Sequence, residues 1–347
     1  MAQHEVTRPV ELLDEKGHII EEGWARQLHW KYDRDRIKAP WFRKKEWDYY
    51  YVLSHEGGYG IGVTMSDLGY AGLFAIAWID LKNRTTTQVD TMSVLPMGKT
   101  GFSPTSDKGD VSFRDKKLAI SYRLKGNDRI ITLDCPGFAS PRGEVGLSGE
   151  IALKRDPKMD TMCIATSWKE NRKAFYLNQK INCMPAAGTV KIGGSEYKFT
   201  PDKDFGALDW GRGVWEYSSF WVWASASGFL PDRRRIGLNM GYGFGDTSAA
   251  SENCFLLENR IHKLGEVKFT YDNRNFKAPW TMKSPDGRLD LVFTPFFERV
   301  AKTDALVLKS EVHQMFGKYS GYVVTDEGEK LVVTDLIGWA EEHNAKW

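Results

Sequence analysis

The chain has few cysteines and no pattern among them. Its four, Cys135, Cys163, Cys183 and Cys254, form no CxxC pair, which argues against a disulfide framework and a sequence-local zinc site. They are expected as buried free thiols in a reducing cytoplasm. The seven histidines show no HxH or HExxH, so no metal site is expected. No apolar run approaches the roughly 18 residues of a membrane-spanning helix. The first residues, MAQHEVTRPVELLDEKGHII, are charged throughout, and no signal peptide is expected. Neither charge sign dominates, with 48 basic and 46 acidic side chains and a net charge of +2. That balance leaves no overall electrostatic footprint for nucleic acid or an anionic membrane. The basic cluster Arg233–Arg235 follows Pro231-Asp232 and reads as a solvated hairpin tip. GGYGIG at Gly57–Gly62 and GYGFG at Gly241–Gly245 lack the GxGxxG spacing. There is no P-loop and no GxSxG elbow, so no cofactor is expected.

Long helical periodicity is scarce, while glycine (33) and aromatics (13%) are plentiful. Short alternating runs flank turn signals all along the chain. Asp48–Ser54 and Tyr59–Asp67 flank Gly57-Gly58; Leu73–Leu81 and Thr85–Val94 flank Lys82-Asn83-Arg84; Leu118–Leu124 and Arg129–Asp134 flank Gly126-Asn127. After Pro185 the pattern restarts, with Thr189–Ile192 and Glu196–Phe199 around Gly193-Gly194, then a meander to Lys330–Leu336. This predicts an all-β protein of two domains, 1–185 and 186–347, divided where MPAAG interrupts the pattern. Each half supplies about eight to ten strands, enough to close a barrel.

The densest chemistry lies in Leu208–Gly228, LDWGRGVWEYSSFWVWASASG, with four of the thirteen tryptophans. Trp221 and Trp223, two apart on a strand, share one face with Ser225 and Ser227. Asp209 and Arg212 are read as converging around a turn at the mouth of an aromatic-lined cavity. In Ile236–Phe244 one face carries bulky residues and the other Gly237, Asn239, Gly241 and Gly243. A ligand, or the tryptophans of the preceding strand, would cover that bare face. Ala305–Met315 reads as a half-exposed strand, with Lys309, Glu311 and His313 opposite Leu306, Leu308 and Val312.

Carboxylates set among aromatics, Asp209, Glu216, Glu252 and Glu341, are the groups that could carry chemistry. An apolar setting disfavours the ionised form and creates a general acid, and aromatic faces stabilise a developing cation. The opposing reading pairs Asp209 with Arg212 as a structural link. Asp209, Glu252 and Glu341 are the candidate acids. Trp210, Arg212, Trp215, Tyr217, Trp221, Trp223, Asn239, Tyr242, Asn253 and His313 are the candidate ligand contacts.

Four segments carry a family resemblance: LLDEKGHIIEEGWAR, DWGRGVWEYSSFWVW, SENCFLLENRIHKLGEVKF and MFGKYSGYVVTDEGEKLVVTDLIGWAEE. From about Leu12 to Trp347 the chain resembles the bacterial domain of unknown function 2804 family. More distantly it is similar to the hydroxyneurosporene synthase (carotenoid hydratase) and tocopherol cyclase-like group. Asp209-Trp210-Gly211 and Trp221-Val222-Trp223 resemble that group's motifs, and Leu336-Ile337-Gly338-Trp339 resembles its closing Leu-Thr-Gly-Tyr. Asp335 stands where the group has Glu, and Arg212-Gly213 belongs to the unknown-function family's own pattern. The resemblance implies two tandem lipocalin-like antiparallel β-barrels, and chemistry on isoprenoid or polyketide-like compounds by hydration, cyclisation or cycloaddition.

The functional expectation is a hydrophobic small molecule held in an aromatic-lined cavity, with acid-assisted hydration, isomerisation or cyclisation. A non-catalytic lipophilic carrier and a glycan-binding module are the alternatives. Inward carboxyls favour the enzyme; exposed flat tryptophans favour the glycan module. No nucleic-acid partner and no transmembrane segment are expected, and oligomeric state is left open.

Overall fold

The computed structural model describes residues 3–305 and 308–346. The regular structure of the described residues is strand, apart from two short 3-10 turns, Arg34–Arg36 and Trp41–Arg43. No helix among them is long and apolar enough to cross a membrane. The expected all-β class is what the chain adopts: two curled antiparallel sheets of the tandem lipocalin-like kind. Alternating apolar residues bounded by glycine-rich turns give this outcome.

The chain divides into two compact units, each built from separate segments. The first comprises residues 1–30, 160–183 and 214–347, and the second residues 31–159 and 184–213. The sequence-based division at residue 185 falls inside one strand, Phe175–Ile192, which runs straight through MPAAG.

In the first unit a nine-stranded sheet runs in the order Arg260–Lys263, Cys254–Leu257, Arg235–Tyr242, Ser218–Phe229, Lys330–Lys346, Leu308–Val324, Leu289–Ala305, Trp280–Lys283, Lys268–Thr270. Gly23–Ala25, Met162–Ser167 and the start of Phe175–Ile192 form a further antiparallel set. The expected strand Ala305–Met315 is the end of one strand and the start of the next, paired antiparallel from Leu289↔Val323 to Ala305↔Leu308. Leu306, expected on its apolar face, lies outside the described residues. The core of the nine-stranded sheet is built by Val222, Ala224, Ala226, Leu238, Met240, Trp280, Phe293, Met315 and Tyr319, among others.

In the second unit Thr85–Val94, Ala71–Asp80, Tyr59–Asp67, Lys44–Ser54 and Phe205–Val214 are successive neighbours. A second run of Val111–Arg114, Ala119–Lys125, Asp128–Ala139 and Val145–Leu153 continues onto residues 186–192 and the short strand Ser195–Phe199. The first two sequence-read hairpins close with Ser54↔Tyr59 and Asp80↔Thr85, and the third with Lys125↔Asp128. All four cysteines are free and buried.

Candidate functional site

Strand alternation decides which side chains meet. Val222, Ala224 and Ala226 point into the aliphatic core of the first unit, so Trp221, Trp223, Ser225 and Ser227 point to the opposite face. These two tryptophans therefore do not belong to the core of this sheet, which is filled with aliphatic and other aromatic side chains. The bare face of Arg235–Tyr242 has two covers: Trp223 reaches Asn239 and lies in register with Gly241, and another strand lies over Gly237. A Cβ on Gly237 would stand 2.8 Å from Asn182 Cβ and 3.0 Å from Cys183 Sγ. Residues of the Phe175–Ile192 strand occupy that space.

On this outer face lies a buried ion pair. Lys180 Nζ is 3.9 Å from Glu252 Oε1, and both side chains are at most 3% exposed. The same ammonium sits 4.0 Å from the centre of the Trp223 ring and 5.9 Å from that of Phe244. Trp223 Nε1 donates to Asn239 Oδ1 at 2.8 Å, and Asn239 Nδ2 donates to the Glu252 carbonyl at 2.9 Å. Ring, amide and acidic residue are thus fixed to one another. A pair at this separation attracts by roughly 4 kcal/mol at an effective dielectric near 20. Desolvation costs several kcal/mol per ion, so stability alone does not explain the pair. Half-buried Lys263, whose Nζ donates to Ser251 Oγ at 3.1 Å, is pushed down to about 8 by burial, against the pull of Cys254 and Glu252. The Cys254 thiol is pushed up to about 12 by burial.

A second carboxylate shares the face. Trp223 pairs in register with Glu341, and Glu341 with Gln314. Gln314 Nε2 donates to Glu341 Oε2 at 3.0 Å, and Trp221 Nε1 reaches Glu341 Oε1 at 3.4 Å. Arg299 Nη1 donates to Gln314 Oε1 at 3.1 Å. Beside them the Trp221 and His343 rings lie 3.9 Å apart, and Ser310 Oγ is 2.8 Å from His343 Nε2. Burial, aided by the Arg299 charge, holds the His343 ring far below its ordinary value, at about 3. Trp215 packs edge-on to Trp168, Tyr176 and Trp221, and Trp223 edge-on to Trp339.

Of the sequence-derived candidates, Trp215, Trp221, Trp223, Asn239, Glu252 and Glu341 are brought together here. Asn253 is used by the backbone: its Oδ1 accepts from Gly241 N at 2.7 Å and its Nδ2 donates to the Gly265 carbonyl at 3.0 Å. Tyr242 packs against the aliphatic core, and Tyr217 is exposed. His313 pairs with Glu298 at 2.9 Å and stacks on Phe276. It falls on the opposite face to Gln314, away from the tryptophans. Glu216 accepts from Asn171 at 2.7 Å. Lys180, Phe244, Trp339 and Gln314 were missed. The one signal for Lys180 was parity in FYLNQKIN, where Tyr176, Asn178, Lys180 and Asn182 share a face that reads as solvated.

Asp209, Trp210 and Arg212 lie in the second unit, in the continuous strand Phe205–Val214. The expected turn between Asp209 and Arg212 is absent. An odd spacing on a strand sends the two side chains to opposite faces, which corrects their convergence. The carboxylates at Arg212 are Asp48, 3.0 Å from Nη1, and Glu46, 3.9 Å from Nε. Its guanidinium also donates to the carbonyls of Trp47, Gly211 and Ser103 at 2.7, 2.8 and 2.9 Å. It lies 4.2 Å from the Trp210 ring centre. Tyr32 OH donates to Glu46 at 2.9 Å, and Arg34 reaches the same carboxylate at 2.6 Å. Burial raises Glu46 above the ordinary carboxylate value, against the pull of Arg212 and Arg34. Among the described residues no three His, Cys, Asp or Glu side chains gather as a metal would require.

The family model for DUF2804, a domain of unknown function, matches residues 3–347. No curated protein matches the chain in sequence. Among solved structures, CghA with Sch210972 is similar at 11% identity and a TM-score of 0.56, covering 88% of this chain and 89% of that one. A second structure of CghA gives 12% identity and a TM-score of 0.54 over 88% of both chains. Kievitone hydratase from Nectria haematococca gives 12% identity and a TM-score of 0.48 over 87% and 88%. Identities this low speak to the fold.

Proposed function

The chain belongs to the DUF2804 family, and from that premise we propose that it binds a hydrophobic small molecule of isoprenoid, lipid or polyketide-like character. The outer aromatic face of the first unit would hold it, and acid-assisted hydration, isomerisation or cyclisation would follow. One observation carries this reading: Lys180 and Glu252 are buried as a pair against Trp223. Buried pairs of this kind contribute little to stability and cluster where chemistry is done. Glu252 is the proton donor in this scheme, acting once ligand binding has moved a proton from the Lys180 ammonium onto its carboxylate, so that the pair stands as amine and carboxylic acid. Its proton goes to an alkene carbon, water adds to the resulting cation, and the water's spare proton returns to the carboxylate. Trp223 and Phe244 already face the Lys180 ammonium, so Trp221 is the ring assigned to the cation. The fold shared with CghA, a protein solved with a bound small molecule, is compatible with this reading. Burial of Trp215 and Trp223, at 2% and 5% exposure, disfavours a glycan platform.

The test is mass spectrometry of small molecules that co-purify with the full chain, repeated for Glu252→Gln and Lys180→Met. A lipophilic compound is expected with the wild type, gaining the mass of one water or changing isomer on incubation. Glu252→Gln should retain the compound and the apolar dye Nile red but convert nothing. No compound and no dye binding in the wild type would refute the reading. Retention without conversion in every form would make the protein a carrier.

A further inference from the structure

A second feature lies in the second unit, at the ends of its first strands. Five apolar side chains, Trp41, Phe42, Val94, Leu95 and Met97, stand exposed there, Val94 at 83% and the others between 43% and 50%. They come from two segments that the Gly69-Tyr70 turn joins. Leu95 N donates to the Tyr70 carbonyl and Met97 N to the Gly69 carbonyl, both at 3.0 Å. A Cβ on Gly69 would lie 2.5 Å from the Trp41 carbonyl oxygen, so that turn needs glycine both for space and for its φ of +85°.

Buried groups hold the three segments in place. Asp67, fully buried, accepts from Gly69 N at 2.9 Å, Gly98 N at 2.8 Å and Thr100 Oγ1 at 3.0 Å. Lys45, also buried, donates to the Phe42 and Leu68 carbonyls at 3.0 and 2.9 Å. Leu95 and Met97 have φ of 51° and 50°, a backbone unfavourable for side chains of their kind. The chain therefore holds apolar groups outward on a rigid frame and in a costly conformation.

Charge indicates what would meet them. Arg36–Lys44 and Met92–Thr100 together contain five basic residues and no acidic one. Arg36, Lys38 and Lys99 are exposed beside the apolar tips; Asp33 and Asp35 precede them. The overall charge balance conceals this local excess. Aromatic and aliphatic tips rimmed by cations match the interface of an anionic bilayer, where rings enter the headgroup boundary and cations meet phosphates. We propose that this loop cluster docks the protein reversibly on an anionic phospholipid surface.

Flotation of the full chain with vesicles tests it, using phosphatidylcholine alone and an equimolar mixture with phosphatidylglycerol. Binding to the mixed vesicles is expected, weakened by salt and small on phosphatidylcholine alone. Trp41→Ser combined with Phe42→Ser should cut it by about tenfold or more. Leu95→Asn with Met97→Asn should cut it too. Asparagine suits the left-handed backbone, so this second variant should fold even if the first does not. Binding unchanged in the folded asparagine variant, or no binding by the wild type, would overturn the proposal. A dimer by light scattering that the same substitutions abolish would assign the patch to a second copy and overturn it equally.

Discussion

Each unit buries a cation beside a tryptophan, and the two settings differ in how the cation is held. Arg212 presents a planar fork to backbone carbonyls of Trp47, Gly211 and Ser103, an ion pair to Asp48, and a face to Trp210. Lys180 faces its carboxylate at 3.9 Å, beyond hydrogen-bond length, and its ring at 4.0 Å. A guanidinium suits fixed, multidentate bonding, whereas an ammonium is a movable point charge. The difference teaches that burial of charge near an aromatic ring does not by itself mark a site. The first arrangement ties strands together; the second is the one on which the proposed chemistry rests.

Substitutions can break this comparison, and the largest effect is expected at Arg212. Arg212→Met leaves Asp48 buried without its cation and Glu46 with Arg34 alone, and should cost roughly 3–5 kcal/mol in urea titration. A loss below about one kcal/mol would place both cations in the same class. Next is Trp223→Ala, expected to cost about 3 kcal/mol because its ring is fully packed. Trp221→Ala, at a half-buried position, should cost less, and equal losses would contradict the packing described. The double substitution Lys180→Met with Glu252→Gln should leave stability within about one kcal/mol of the wild type. Arg212→Met with Asp48→Asn should remain clearly destabilised, since the buried carbonyls of Trp47, Gly211 and Ser103 lose their donor.

The smallest expected effect is a pH dependence confined to the first unit. The His343 ring stays neutral down to about 3 when folded, against 6.5 in the unfolded chain. Between those values the unfolded chain binds the extra proton. The contribution of the neutral ring is therefore complete above pH 6.5 and is lost as pH falls toward 3. His343→Gln should flatten the fall in melting temperature across that window. An unchanged slope would show that other groups govern the acid limb.

Local hairpins were legible in the sequence because their turns carry their own signals: Gly57-Gly58, Lys82-Asn83-Arg84 and Gly193-Gly194 sit where strands reverse. Long strands were not. Leu289–Ala305 is not legible as one strand because Pro295 and a register shift before Phe297 break the alternation. Phe175–Ile192 was divided at MPAAG, although Cys183, at a φ of 58°, and Pro185 lie within the strand. For the site, the period of two placed Trp221 and Trp223 together, but periodicity cannot tell which face meets the core. Lys180 was overlooked because it reads as solvated unless the strand covering it is known, and that contact joins residues 180 and 223. Asp209 and Arg212 were misjudged because Trp210-Gly211 resembles a turn, while Trp47 packs over Gly211 within the sheet.

The order of strands in the larger sheet bears on how the protein is made. Lys330–Lys346 is the last strand in the chain and the fifth of nine in space, between Ser218–Phe229 and Leu308–Val324. During synthesis Ser218–Phe229 emerges long before the strand that joins it to Leu308–Val324. Until it arrives, Trp221 and Trp223 stand on an open edge, the kind of surface that recruits other chains. The second unit has all its residues once Gly213 has emerged. The nascent protein thus carries one unit ready to fold and another that waits on its final strand, and that interval is when it has most need of a chaperone.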